Sequence, residues 1–243
     1  MPAEVYGEKY EFLPRPHVLS FEEIDRLTRL FVRIGVSKVR ITGGEPLVRA
    51  NLPDLISKLV VIDRIDDIAL TTNGYLLENN ATELKDAGLN RLTISLDSID
   101  PDIFKEMSGR PQGPENTLAG IKAAASLGFE QIKINVVVQR GVNEHTLVDT
   151  ARYFKGTGVI VRFIEFMDVG TKNGWELSQV FTSTEVIHAI NTEFPIEPIE
   201  PNYKGEVASR YRYVDGSGEI GVISSVSKPF CGDCTRARLS TDG

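Results

Sequence analysis

Cys231-Gly232-Asp233-Cys234 sets two thiols three residues apart. That spacing serves thiol–disulfide exchange, half of a zinc site, or part of an iron–sulfur site. Two reduced, buried thiols would also satisfy it, because free cysteine packs as a small hydrophobe. Exchange usually accompanies a thioredoxin-like βαβ context, whereas the surrounding sequence reads as irregular β structure. Zinc would need two more ligands, and the three histidines, His17, His145 and His188, are scattered. Just beyond the thiols, Arg236 and Arg238 alternate on a predicted strand over residues 235–240. Such a pair suits phosphate or nucleobase acceptors, or it guards a solvated strand edge against aggregation. Arg40, Lys133 and Arg162 fall on the polar faces of otherwise apolar strands. A buried cation needs a partner, either an anionic ligand or an internal carboxylate such as Asp97 or Glu165.

The elements that must position these residues are legible in the periodicity. The central stretch is Lys38-Val39-Arg40-Ile41-Thr42-Gly43-Gly44-Glu45-Pro46. Its strand puts Lys38, Arg40 and Thr42 on one face, then stops at two glycines, where a ligand can approach closely. Before it, Ser20 and Glu23 form a capping box. Ile24, Leu27, Phe31 and Ile34 then give the buried stripe of a helix that Gly35 ends. Strands are predicted at 68–74, 91–97, 131–138 and 159–166. Helices are predicted at 52–61, 80–87, 114–127 and 143–154, with another opening at Asp100-Pro101.

Five strand–helix alternations between residues 36 and 170 are the pattern of parallel βα units. Thr71 and Asn73, then Thr93, Ser95 and Asp97, then Lys133 and Asn135, lie opposite apolar neighbours. Strands buried on both faces would be nearly all apolar, and a filled barrel would want branched apolar side chains inside. The expectation is an incomplete barrel around a wet cavity for a large polar ligand. Arg162 has the opposite parity to Glu165 and Met167, so a bulge would be needed to bring them to one face. After residue 170 the pattern changes. A capped helix is expected at 182–190, an irregular link through Pro195, Pro198 and Pro201, and a hairpin over 210–224. The predicted division is a barrel core over 1–170 and a C-terminal extension over 171–243.

Net charge is −7 over 243 residues, with 41% hydrophobic and 25% charged content. This argues against a general nucleic-acid binder, so an anionic substrate must be held by local cations. No apolar run approaches a membrane span, and the N-terminus has no secretory pattern. Two clustered cysteines make no disulfide framework, so a cytoplasmic, reducing compartment is expected.

Taken together, Thr42-Gly43-Gly44-Glu45-Pro46-Leu47, Thr71-Thr72-Asn73-Gly74, Ser95-Leu96-Asp97-Ser98, Lys133-Ile134-Asn135, Arg162-Phe163-Ile164-Glu165-Phe166-Met167 and Cys231-Gly232-Asp233-Cys234-Thr235-Arg236-Ala237-Arg238 resemble the molybdenum cofactor biosynthesis protein A family. These are the GTP 3′,8-cyclases of the radical S-adenosylmethionine superfamily. The resemblance implies a partial (βα)6 TIM-type barrel, two [4Fe–4S] clusters and S-adenosylmethionine as cofactor. It implies hydrogen removal from C3′ of GTP and ring closure onto C8. The cyclised product then passes to a partner protein that makes cyclic pyranopterin monophosphate. Gly44, Glu45, Ser95 and Met167 would hold S-adenosylmethionine. Arg40, Thr71, Lys133, Arg236 and Arg238 would hold GTP, with Arg162 beside the reacting centre. Cys231 and Cys234 would carry the second cluster. A reductant donor is implied, and a homodimer is compatible with the resemblance.

The sequence departs from that family in lacking the Cys-x3-Cys-x2-Cys expected before Met1 and a third cysteine expected after Gly243. These 243 residues alone are therefore not expected to perform the radical step, and the native protein is expected to be longer. Two rivals stand beside this reading. One is a non-redox, phosphate-binding barrel lyase or aldolase using Lys133 and a zinc half-site. The other is a cluster-less paralogue that only binds GTP or S-adenosylmethionine.

Overall fold

A computed structural model describes residues 13–169, 174–203, 205–229, 232 and 234–243. Along the chain, the elements begin with α1 (Phe21–Arg33), β1 (Lys38–Ile41), α2 (Leu52–Val60), β2 (Asp67–Thr72), α3 (Leu77–Asp86) and β3 (Arg91–Ser95). They continue with α4 (Pro101–Ser108), α5 (Glu115–Ser126), β4 (Gln131–Val138), α6 (Leu147–Phe154) and β5 (Ile160–Glu165). The remainder is α7 (Ser183–Glu193), β6 (Ile196–Ile199), β7 (Ser209–Tyr213) and β8 (Glu219–Ile223). The fold is mixed α/β, with parallel strands alternating with helices. Among the described residues no helix is long and apolar enough to cross a membrane.

The chain divides into two compact units. The first comprises residues 13–95, 115–132 and 237–243. Here β1 pairs in parallel with β2, and β2 with β3. One face of these strands is apolar: Ile68, Leu70, Leu92 and Ile94 are at most 1% exposed. The capping box at Ser20 and Glu23 forms as expected. Gly120 of α5 lies so near α3 that a Cβ there would meet Leu77 Cβ and the Gly74 carbonyl at 2.8 Å. The helix stripe needs one correction. Ile24, Leu27 and Phe31 are half-buried, but Ile34 is the C-cap of α1 and is 78% exposed. The helix turns its last apolar residue out once Gly35 reverses the chain.

The second unit comprises Leu96–Pro114 and Lys133–Arg236. Here β4 pairs in parallel with β5, and β5 in parallel with β8. β7 runs antiparallel to β8, and β6 antiparallel to β7. The predicted hairpin is present, but its second strand also extends the parallel sheet, a pairing that local pattern cannot reveal. The link predicted to be irregular contains β6, with Pro198 opposite Tyr211. Proline is tolerated because, among the described residues, β6 pairs only on its β7 side, as an edge strand can. Among the described residues, the strands of neither unit close into a ring. The predicted helix at 143–154 is a 3-10 turn (Glu144–Thr146) followed by α6. Asn143 is fully engaged before that turn: its amide donates to the carbonyls of Asp97 and Val137 and accepts the N–H of Gln139, each at 2.8 Å.

Candidate active site

In the first unit, β1–β3 turn one polar face outward from the apolar one. Arg40 Nη1 donates to Thr71 Oγ1 and to Thr93 Oγ1, each at 3.0 Å. The parallel register pairs Thr71 with Thr93, so the two hydroxyls form a shelf under the guanidinium. Strand alternation places Ser95, exposed at the end of β3, on that same face. Near the start of these strands, Arg91 and Asp67 form an ion pair.

β1 ends in the glycine turn. Gly43 has φ +138°, a conformation that L side chains rarely adopt. A Cβ on Gly43 or Gly44 would meet nothing within 4 Å. The space before both residues is open, which is what close approach of a ligand to backbone requires. Glu45 holds the turn in place. Its carboxylate accepts the N–H of Leu47 (3.0 Å), the hydroxyl of Thr72 (2.7 Å) and the N–H of Asn73 (2.7 Å). It thereby ties the β1 turn to the end of β2. Thr72 Oγ1 in turn accepts the N–H of Gly74 at 3.0 Å.

In the second unit, Lys133, Asn135 and Arg162 share a face through regular pairing, with Asn135 opposite Arg162. Arg162 Nε donates to Asn135 Oδ1 at 2.9 Å. Gly221 stands opposite Arg162 on β8. A Cβ at that position would come within 3.0 Å of Arg162 Cγ, so the glycine makes room for the arginine stem. Beside β4, Leu96 N donates to Asn135 O, and Asp97 Oδ1 accepts the N–H of Val137 at 2.8 Å. Burial pushes the Asp97 carboxyl above its usual range, although the Val137 bond opposes the shift.

The bulge proposed to bring Glu165 to the side of Arg162 is absent. β5 is regular, with consecutive pairing from Val161 to Ile164. Glu165 lies on the opposite face, 1% exposed, and it does not pair with Arg162. Its carboxylate accepts the N–H groups of Ser183 (2.7 Å), Val226 (2.8 Å) and Ser227 (2.8 Å) and the hydroxyl of Ser227. Met167, two residues on, is 41% exposed.

Residues 235–240 are not a strand. Arg236 and Arg238 are exposed on an irregular segment and share no strand face, because among the described residues this segment joins no ladder. Its end is nonetheless fixed: Leu19 N donates to Thr241 O at 2.8 Å. Cys234 is exposed and reduced, and its Sγ lies 3.4 Å from Arg236 Nε. A thiol sulfur is a soft donor of the kind that iron–sulfur clusters take, so the donor chemistry of Cys234 fits a cluster. Cys231 lies outside the described residues. Among the described residues no three His, Cys, Asp or Glu side chains are grouped to hold a metal ion. A cavity of about 160 Å³, lined by Phe154, Lys155, Tyr213 and Glu219 among others, lies at the start of β5 and β8 and contains none of the predicted site residues.

The sequence reading overlooked two partners as site residues: Thr93 and Asn135. Each was already placed on the right face by strand alternation. What was missing was the register that sets them beside Arg40 and Arg162.

Comparison with known proteins gives concordant findings. Residues 5–154 match the family described as Radical SAM superfamily, and residues 159–243 the family described as Molybdenum Cofactor Synthesis C. The chain is 50% identical over all 243 residues to a GTP 3′,8-cyclase of Acidothermus cellulolyticus, covering 67% of that protein. It is likewise 50% identical to a GTP 3′,8-cyclase of Xanthomonas campestris pv. campestris, covering 71% of it. A relative of the same name from Staphylococcus epidermidis is 47% identical over the whole chain, which covers 71% of that relative. Among solved structures, SuiB of Streptococcus suis bound to S-adenosylmethionine superposes with a TM-score of 0.60 at 16% identity, over 76% of this chain and 41% of SuiB. Coproporphyrinogen III oxidase (HemN) from Escherichia coli, a radical SAM enzyme, gives 0.53 at 14% identity, over 88% of this chain and 58% of that one. At such identities these likenesses concern the fold alone.

Proposed function

We propose, from the premise that the chain belongs to the radical S-adenosylmethionine superfamily and within it to the GTP 3′,8-cyclases, that it acts on GTP in molybdenum cofactor biosynthesis. The reaction is the lyase-type cyclisation that joins C3′ of the ribose to C8 of the guanine. The observation that carries the reading is the pair of cationic strand faces: Arg40 held over Thr71 and Thr93, and Arg162 held by Asn135. Polar strand faces of this kind suit a nucleoside triphosphate, whose phosphates satisfy guanidinium donors better than water-exposed pairing would.

In this reading Arg40, Thr71, Lys133, Arg236 and Arg238 bind GTP, and Arg162 stands at the reacting ribose. Gly44, Glu45, Ser95 and Met167 hold S-adenosylmethionine. The open backbone at Gly43 and Gly44 supports this, and the three-bonded Glu45 gives the turn its rigidity. Cys231 and Cys234, in the extension over 171–243, ligate a second [4Fe–4S] cluster besides the one that serves S-adenosylmethionine. When bound, cluster and S-adenosylmethionine supply a carbon radical able to take hydrogen from the ribose. The chain's own residues orient the triphosphate, fix the ribose against Arg162 and exclude competing poses. The product goes to a partner protein that forms cyclic pyranopterin monophosphate, an external reductant supplies the electron, and the compartment is the reducing cytoplasm. Family membership leaves the aldolase-like use of Lys133 without support.

The test is anaerobic reconstitution, with iron and sulfide, of the full-length protein carrying both cysteine motifs, followed by incubation with GTP, S-adenosylmethionine and dithionite. 5′-Deoxyadenosine together with a cyclised, GTP-derived product is expected. A reconstituted protein that cleaves S-adenosylmethionine but leaves GTP unchanged would overturn the assignment.

A further inference from the structure

Glu165 is the most completely engaged buried charge among the described residues of β5, yet it faces away from Arg162. Two donors meet each of its oxygens: Ser183 N and Ser227 Oγ on Oε1, and Val226 N and Ser227 N on Oε2. A carboxylate offers about four acceptor positions, and all four are used. Ser224 Oγ donates to Ser183 Oγ at 2.7 Å, closing the same knot. A buried carboxylate costs desolvation, and a packed apolar side chain would fill a core position without that cost. What the carboxylate adds is direction, because it fixes three backbone N–H groups from two separate segments at one point.

One of those segments matters for the chemistry. Ser227 lies four residues before Cys231, so the chain between them spans at most about 14 Å. The route from β8 to Cys231, Cys234 and Arg236 therefore starts at a point set by a carboxylate on β5, the strand that also carries Arg162. We propose that Glu165 is a positioning residue for the segment bearing the second cluster motif and its arginines, and through that segment for GTP. This inference rests on the functional reading above.

The experiment uses the cluster-loaded full-length protein and two variants, Glu165→Gln and Ser227→Ala, beside Ile190→Val as a control core change in α7. Two quantities are read. One is the affinity for GTP and for S-adenosylmethionine by equilibrium dialysis; the other is hydrogen exchange of the backbone amides. Glu165→Gln is expected to weaken GTP at least tenfold while S-adenosylmethionine changes less than about twofold, since lost charged bonds cost about that factor or more. Exchange at Val226 and Ser227 should accelerate while exchange in β5 stays slow. Ser227→Ala, an exposed change that removes a single donor, should show the same pattern in smaller measure, and it remains informative if Glu165→Gln does not fold. Equal loss of both ligands, loss no greater than in Ile190→Val, or unchanged exchange at Val226 and Ser227 would overturn the inference. If the parent protein binds no GTP, the functional reading falls and this inference falls with it. If the parent binds GTP and both variants bind it equally well, only the inference falls.

Discussion

Asn135 and Arg162 stand opposite each other on neighbouring parallel strands, and the amide oxygen of Asn135 accepts the guanidinium Nε–H at 2.9 Å. A long, flexible cation is thereby given one direction by a short, rigid neighbour. Arginine loses little further freedom when its planar fork is already aligned, so this pair converts strand register into the aim of a functional group.

Asn135→Ala should leave the fold intact and lower kcat/KM for GTP by about tenfold, the ~1.4 kcal/mol expected for one hydrogen bond to a charged group. Steady-state kinetics of the reconstituted enzyme would check this. A loss confined to S-adenosylmethionine binding would contradict the role given to Arg162.

Gly221→Ala tests the same arginine from the other side. The new methyl would sit 3.0 Å from Arg162 Cγ, so the stem must move. Overpacking of this kind costs about 1–3 kcal/mol. Part of it should appear as a lower melting temperature and part as weaker turnover, and a variant indistinguishable from the parent would show that Arg162 is not confined.

Thr71→Val and Thr93→Val each remove one acceptor from Arg40. Each should weaken GTP by about fivefold, roughly 1 kcal/mol. Because both hydroxyls serve the same nitrogen, the double variant should lose less than the sum. Strict additivity in a double-mutant cycle would mean that the two do not act through Arg40.

Glu45→Gln replaces an acceptor of three bonds with a group that has one acceptor atom. The glycine turn should loosen, and S-adenosylmethionine should bind at least about tenfold more weakly, with GTP less affected. Thr72→Val, which removes one of the three donors, should give a milder version of the same split in equilibrium dialysis.

Acid should act through Glu165. Burial alone would raise its carboxyl, but the hydroxyl of Ser227 and the three N–H bonds outweigh burial and hold it below its usual 4.5. The folded state thus takes up this proton less readily than the unfolded chain. The stabilisation is complete above pH 4.5 and is lost as pH falls through the lowered folded value. Urea midpoints measured from pH 6 down to pH 3.5 should drop more steeply for the parent than for Glu165→Gln, and parallel profiles would remove Glu165 from the acid response.

Much of the candidate site was legible before any coordinates. Alternation put Arg40, Thr71, Thr93, Ser95, Lys133 and Asn135 each on the polar side of its own strand, because the side-chain period of a strand is two, whereas Arg162 fitted less well until pairing set it opposite Asn135. Capping boxes at Ser20 and Thr182 marked two helix starts that the structure reproduces. The motifs around Gly43-Gly44-Glu45 and Cys231–Cys234 carried the resemblance that the comparisons bear out. Local pattern failed where a residue's state depends on a distant partner. Residues 235–240 have the alternation of a strand but no ladder among the described residues, and Pro198 looked like a breaker yet sits in an edge strand.

By itself, then, the sequence determined the βα order, the polar side of each strand and the family, since all three depend on neighbours a few positions apart. Only the tertiary structure decided that β8 runs parallel to β5, that Asn135 aims Arg162, and that Glu165, offered with Asp97 as one internal carboxylate for the strand cations, instead anchors Val226 and Ser227. Those outcomes depend on partners 27 to 62 residues away, and a hydrogen bond across such separations leaves no local period to read.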